Sequence, residues 1–133
     1  MKYPLIQLTK AYYEALNTAV LPVYDGFAPE DSPDNYIVIT DKVITPMTQD
    51  TGNFIECVLT FDINTKTKSF GFKGQNTYVN QFTQLINPDT ILTMTDFTMD
   101  NQVIEDIQPL PALGGSENHY RTIIRVRAYL TEK

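Results

Sequence analysis

The sequence predicts one α+β domain: a mostly antiparallel β-sheet with two α-helices packed on one face. Three observations lead there. Apolar residues recur at helical spacing in two separate windows, residues 4–18 and 75–86. The windows between and after them are rich in β-branched and aromatic residues, and two of these alternate apolar with polar. The links are short and rich in Pro, Gly, Asn and Asp, which marks hairpin-like connections rather than long crossovers. A chain of 133 residues, 42% hydrophobic and 20% charged, is long enough to bury about two-thirds of its unfolded surface, so residues 1–133 read as a single domain.

The first helix is expected over residues 4–18. Pro4 suits a first turn, where its missing N–H costs nothing, and Leu5, Leu8, Tyr12, Ala15, Leu16 and Ala19 follow at helical spacing. Residues 20–24 are short and interrupted by Pro22, which confines them to an edge strand. DGFAPEDSPDN, residues 25–35, is an exposed loop of turn formers and carboxylates. YIVITDKVI, residues 36–44, is a strand expected to break or bulge near Asp41. TPMTQDTGN, residues 45–53, reads as a second polar loop. Over residues 54–64, Ile55, Cys57, Leu59, Phe61 and Ile63 share one strand face, and Glu56, Thr60, Asp62 and Asn64 share the other.

NTKTKSFGFKG, residues 64–74, with Lys66, Lys68 and Lys73, reads as a mobile connection. Tyr78, Val79, Phe82, Leu85 and Ile86 then form one helical stripe, ended by Asn87-Pro88-Asp89. Residues 91–99 and 103–109 are expected to be two strands joined by a turn at Asp100-Asn101. PLPALGGSEN, residues 109–118, cannot hold a regular ladder. Residues 120–131 close the domain with Ile124, Val126, Ala128 and Leu130 on one face and Arg121, Arg125, Arg127 and Tyr129 on the other.

A net charge of −6 disfavours a dedicated nucleic-acid reader, whose affinity comes mainly from Lys and Arg neutralising phosphates. No window approaches the roughly 18 apolar residues needed to cross a bilayer, so no membrane partner is expected. MKYPLIQLTK has neither an apolar signal core nor a cleavage site, so the mature chain is expected to begin at or near Met1. The single Cys57, beside Ile55, Val58 and Leu59, reads as a small buried hydrophobe in a reducing compartment.

No residue set identifies a reaction, and no catalytic, cofactor or metal residues are expected. His119 is the only histidine, so triads and zinc sites that need several imidazoles are out of reach, and beside a strand start it reads as a surface residue. Glu56 and Asp62 share a strand face and Glu105-Asp106 adjoin each other, a pattern that can hold a divalent cation for hydrolysis. Carboxylates on a solvated sheet face are the commoner reading. Phosphate-loop, dinucleotide, nucleophile-elbow and zincin motifs do not occur. Gly114-Gly115 precedes a strand, whereas a phosphate cradle needs a helix. The alternatives are therefore a carboxylate-metal hydrolase and a small-ligand binding module.

The charge distribution is more informative. All three arginines, Arg121, Arg125 and Arg127, fall in the last strand, while carboxylates gather at Asp25, Glu30, Asp31 and Asp34. One reading is a solvated face with ordinary surface ion pairs. The other is a subunit interface built from these seven residues, because arginine's planar fork favours bidentate pairing between subunits. A ring closed head-to-tail uses two different patches per subunit.

The order of elements resembles the tail-terminator or tail-completion (neck ring) proteins of tailed bacteriophages. The resemblance runs from the N-terminal helix through the strand at 20–24, DGFAPEDSPDN leading into YIVI, FIECVLTFDIN, the helix after FKGQN, and IIRVRAYL. It implies a structural virion protein without enzymatic activity or cofactor, assembled in the host cytoplasm. It also implies a homo-oligomeric ring of six or twelve subunits at the head-tail junction. Such a ring contacts portal or head-side connector proteins and tail-tube proteins, and DNA passes through its channel. A carboxylate-rich channel would repel phosphate and let DNA slide.

Overall fold

A computed structural model of the chain describes residues 2–49, 52–67, 71–114 and 118–133. Lys68 and Gly115, both named above, lie outside the described residues, as does Met1. The elements run α1 (Leu5–Leu16), β1 (Val23–Asp25), β2 (Asn35–Gln49), β3 (Gly52–Thr67), α2 (Lys73–Leu85), β4 (Phe97–Pro109) and β5 (Asn118–Glu132). The strands form one five-stranded sheet in the order β1-β2-β3-β5-β4. All pairs are antiparallel except β1 with β2, which is parallel. This is the α+β architecture expected.

Pro4 stands just before α1, and its carbonyl accepts the Leu8 N–H at 3.0 Å. Leu8, Ala11, Tyr12 and Leu16 form the buried stripe of α1, and Phe82 with Ile86 does the same for α2. Both stripes join one core with Ile55, Cys57, Leu59, Phe61 and Ile63 of β3 and Ile124, Val126, Ala128 and Leu130 of β5. The two helices therefore cover the same sheet face. Phe61 sits at the centre, edge-on to Tyr12 at 5.2 Å and to Phe82 at 5.1 Å between ring centroids. Tyr12 is fully buried, and its hydroxyl donates to Gln102 Oε1 at 2.9 Å, which satisfies the polar end of the ring inside the core. Burial also pushes the Cys57 thiol up to about 11.

Several boundaries differ from expectation. Of the loop expected at 45–53, residues 45–49 are instead the end of β2 and residues 52–53 the start of β3, paired in register from Thr45↔Glu56 to Gln49↔Gly52; residues 50–51 lie outside the described residues. Cross-strand bonding overrides the polar composition there. The connection expected at 64–74 is strand as far as Thr67, because β5 extends to Asn118 and pairs with it. The two strands expected at 91–99 and 103–109 are one strand, β4. Asp100 and Glu105 are absorbed as irregularities between Met99/Asn101 and Ile104/Asp106, so turn-forming chemistry produces bulges rather than a hairpin. The break expected near Asp41 is present as a register shift between Ile39 and Lys42. β1 ends at Asp25, and Gly26, with φ of +91°, turns the chain away from the sheet in a conformation that L side chains rarely adopt.

Candidate subunit interface

The helix-free face of the sheet carries the charged residues, and strand register decides which of them meet. Arg121, Arg125 and Arg127 alternate along β5 with the core residues Ile124, Val126 and Ala128, so all three project onto the open face. Arg127 stands between Val58 of β3 and Val103 of β4 and reaches diagonally to Glu56 and Glu105 at once. Arg125 lies opposite Asp106 and pairs with it at 3.4 Å, both side chains about half exposed. Arg121 forks onto Asp62, Nη2 at 2.6 Å and Nε at 3.2 Å from Oδ2. That carboxylate is nearly buried, at 7% exposure, and it raises the Arg121 pKa further by accepting these bonds.

The Arg121 end of this face is roofed. The loop after Gly26 and the segment around Leu113 flank a groove of about 320 Å³ whose floor includes Tyr36, Asp62, Asn64, His119 and Arg121. His119 Nε2 lies 2.8 Å from Asn64 Oδ1. Burial, followed by the charges of Lys66 and Arg121, holds the His119 imidazole below its ordinary pKa. Cys57 is on the opposite, core-facing side of β3, so it cannot act with His119. On the opposite, helix-covered side of the same end of the sheet, a buried network spans β3, α2 and β5. Thr65 Oγ1 donates to Gln75 Oε1 at 2.5 Å, and Gln75 Nε2 donates to Ile63 O and Thr122 Oγ1, each at 2.9 Å.

The acidic patch lies elsewhere. Asp25 pairs with Lys42 at 2.6 Å, and Glu30, Asp31 and Asp34 are exposed. Among the described residues no ion pair joins these four carboxylates to the three arginines, which take Glu56, Asp62, Glu105 and Asp106 instead. The four carboxylates considered for a metal are thereby each committed to a guanidinium. No group of three or more His, Cys, Asp or Glu placed to hold a metal ion occurs among the described residues.

Sequence periodicity did not point to two sets of exposed apolar side chains. Tyr3, Ile6 and Tyr13 lie at the start of the chain and along α1, and Val43 lies on the open sheet face. Ile6 and Tyr13 are seven residues apart, so they share the side of α1 opposite Leu8 and Tyr12. A second apolar stripe at helical spacing was the available signal.

The site is thus an open, charge-laced sheet face backed by a two-helix layer. No protein-family model and no curated protein matches the chain. Among solved structures, a chain of the virion of a native gene transfer agent particle has the same fold, with a TM-score of 0.67 and 14% identity. The match covers 90% of this chain and 83% of that one.

Proposed function

We propose that this protein is a structural subunit of a virion, and that its copies form a ring at the neck. There the ring terminates or connects the tail and leaves a channel for DNA. One observation carries the reading: the fold likeness to a virion protein extends over nearly the whole of both chains. The order of elements that resembles tail-terminator proteins supports the finer assignment. The guanidinium–carboxylate pairs are consistent with it, since they commit the carboxylates of the open face to arginines. In this reading the chain is not an enzyme, its neighbours are portal or connector proteins on one side and tail-tube proteins on the other, and its net charge of −6 keeps DNA from adhering in transit.

The test is placement in the particle. A tagged chain labelled with gold should decorate the head-tail junction of purified virions, and the chain released from them should run as a closed ring in mass photometry. Label absent from particles, or a purified chain with reproducible metal-dependent hydrolysis that Glu56→Gln abolishes, overturns the assignment.

A further inference from the structure

We propose that the outer stripe of α1 in one copy of this chain seats on the open sheet face of the next copy, in a head-to-tail contact between identical subunits. This rests on the ring reading above and names the two surfaces that close it. The first surface is apolar where a helix exposed to water is ordinarily polar. Ile6 is 76% exposed, and Tyr3 and Tyr13 stand with it. They border a groove of about 530 Å³ that continues to the Asp25–Lys42 pair. The second surface is the hairpin half of the open sheet face, beyond the loops that roof the other half. Val43, Val58, Arg127 and Val103 lie in one row across β2, β3, β5 and β4, with Val43 57% exposed. Beside that row, Met47, Phe54 and Tyr129 border a smaller hollow of about 180 Å³.

The two surfaces lie on opposite sides of the molecule, since α1 packs on the face that the arginines leave. An isologous dimer through either one would leave the other bare in water. A head-to-tail contact covers both at every interface and repeats around a ring. The sheet edges offer no easier route. Pro46 lies in the part of β2 that extends past β1 and cannot donate to an added strand, and β4 is bulged at Asp100 and Glu105. Charge permits the same contact. Around the valine row the carboxylates Glu56, Glu105 and Asp106 outnumber Arg125 and Arg127 by one. On the α1 surface the exposed Lys10 can meet that surplus, while Glu14 one turn further on and the Asp25–Lys42 pair leave the surface close to neutral. The helix start itself is already faced by Asp96, whose carboxylate accepts from Gln7.

The experiment uses two single-cysteine additions, Ile6→Cys and Val43→Cys, in a chain whose own Cys57 is fully buried. Each variant is purified alone, brought to a concentration at which the parent assembles, and mildly oxidised, by itself and as an equal mixture. The expected result is a disulfide dimer in the mixture, a ladder from the chain carrying both changes, and neither from the single variants alone. Tyr13→Asp and Val43→Asp, both exposed substitutions that leave the core untouched, should each raise the concentration needed for assembly by about tenfold or more. Rings that form normally but give no mixed cross-link, or single variants that cross-link to themselves, overturn this contact while leaving the ring reading standing. A parent chain that forms no assembly at any concentration, in particles or alone, overturns the ring reading and this contact together.

Discussion

The two faces of the sheet are made by the same strands and behave differently. On the helix side of β3, Ile55, Cys57, Leu59, Phe61 and Ile63 are all fully buried, and the aromatic stack Tyr12–Phe61–Phe82 ties both helices to the centre of the sheet. On the other side, Glu56, Val58 and Thr60 are partly exposed, while Asp62 and Asn64 are buried beneath the roof of loops. The inner face is held by area removed from water, which is non-directional. The roofed part of the outer face is held by directional pairs, because polar groups taken out of water must find partners. Among the described residues neither helix nor loop lies over the hairpin end of the outer face, and there the valine row is left half covered. The two faces therefore differ by composition, whereas the two halves of the outer face differ by what the rest of the chain lays over them.

The largest expected effect breaks the inner face. Phe61→Ala should lose about 3–5 kcal/mol through lost burial and the cavity left between Tyr12 and Phe82, whereas Thr60→Ala, one residue away on the outer face, should stay within about 0.5 kcal/mol. Urea titrations of the two variants check this, and equal losses would show that the faces do not differ as described. A smaller effect separates the two halves of the outer face. Arg121→Met leaves the Asp62 carboxylate nearly buried without its counterion and should cost about 1–3 kcal/mol. Replacing Arg125 and Arg127 by Lys should change monomer stability by no more than about 1 kcal/mol, while weakening ring assembly measured by mass photometry. An Arg121→Met variant as stable as Arg125→Lys would remove the distinction between roofed and open halves.

The smallest effect concerns His119. Its folded pKa lies below the unfolded value of about 6.5, so the unfolded chain binds the proton more readily. Stability is then full above about pH 6.5 and declines as pH falls through the folded pKa. His119→Gln should flatten that decline in denaturant midpoints measured across the acid limb. A parent with no slope there would mean that the groove does not resist charging the imidazole.

Much of the core was legible from periodicity, because alternation along 54–64 and 120–131 leaves one solution for which side faces inward. The helical stripes at Leu8, Tyr12 and Leu16 and at Phe82 and Ile86 were equally plain. Element ends were not. Gln49 and Gly52 belong to strands although their neighbours are turn formers, because each gains a cross-strand partner that local propensity does not see. Asp100-Asn101 forms no hairpin because β5 offers an unbroken ladder on which the extra residue is tolerated as a bulge.

The candidate interface divides in the same way. That Arg121, Arg125 and Arg127 share one face follows from the two-residue repeat of a strand, and so does their exclusion from the core; both were determined by sequence alone. Which carboxylates they meet was decided only by tertiary structure, since Asp62, Glu105 and Asp106 are 59, 22 and 19 positions away from their partners along the chain. Register and sheet order bring these groups within reach of one another, and side-chain identity carries no record of that distance. The acidic residues Asp25, Glu30, Asp31 and Asp34 carry the same charge, yet within the chain the arginines take other partners and Asp25 meets Lys42. Charge identifies what can attract, but chain connectivity and strand order decide what is near enough to do so.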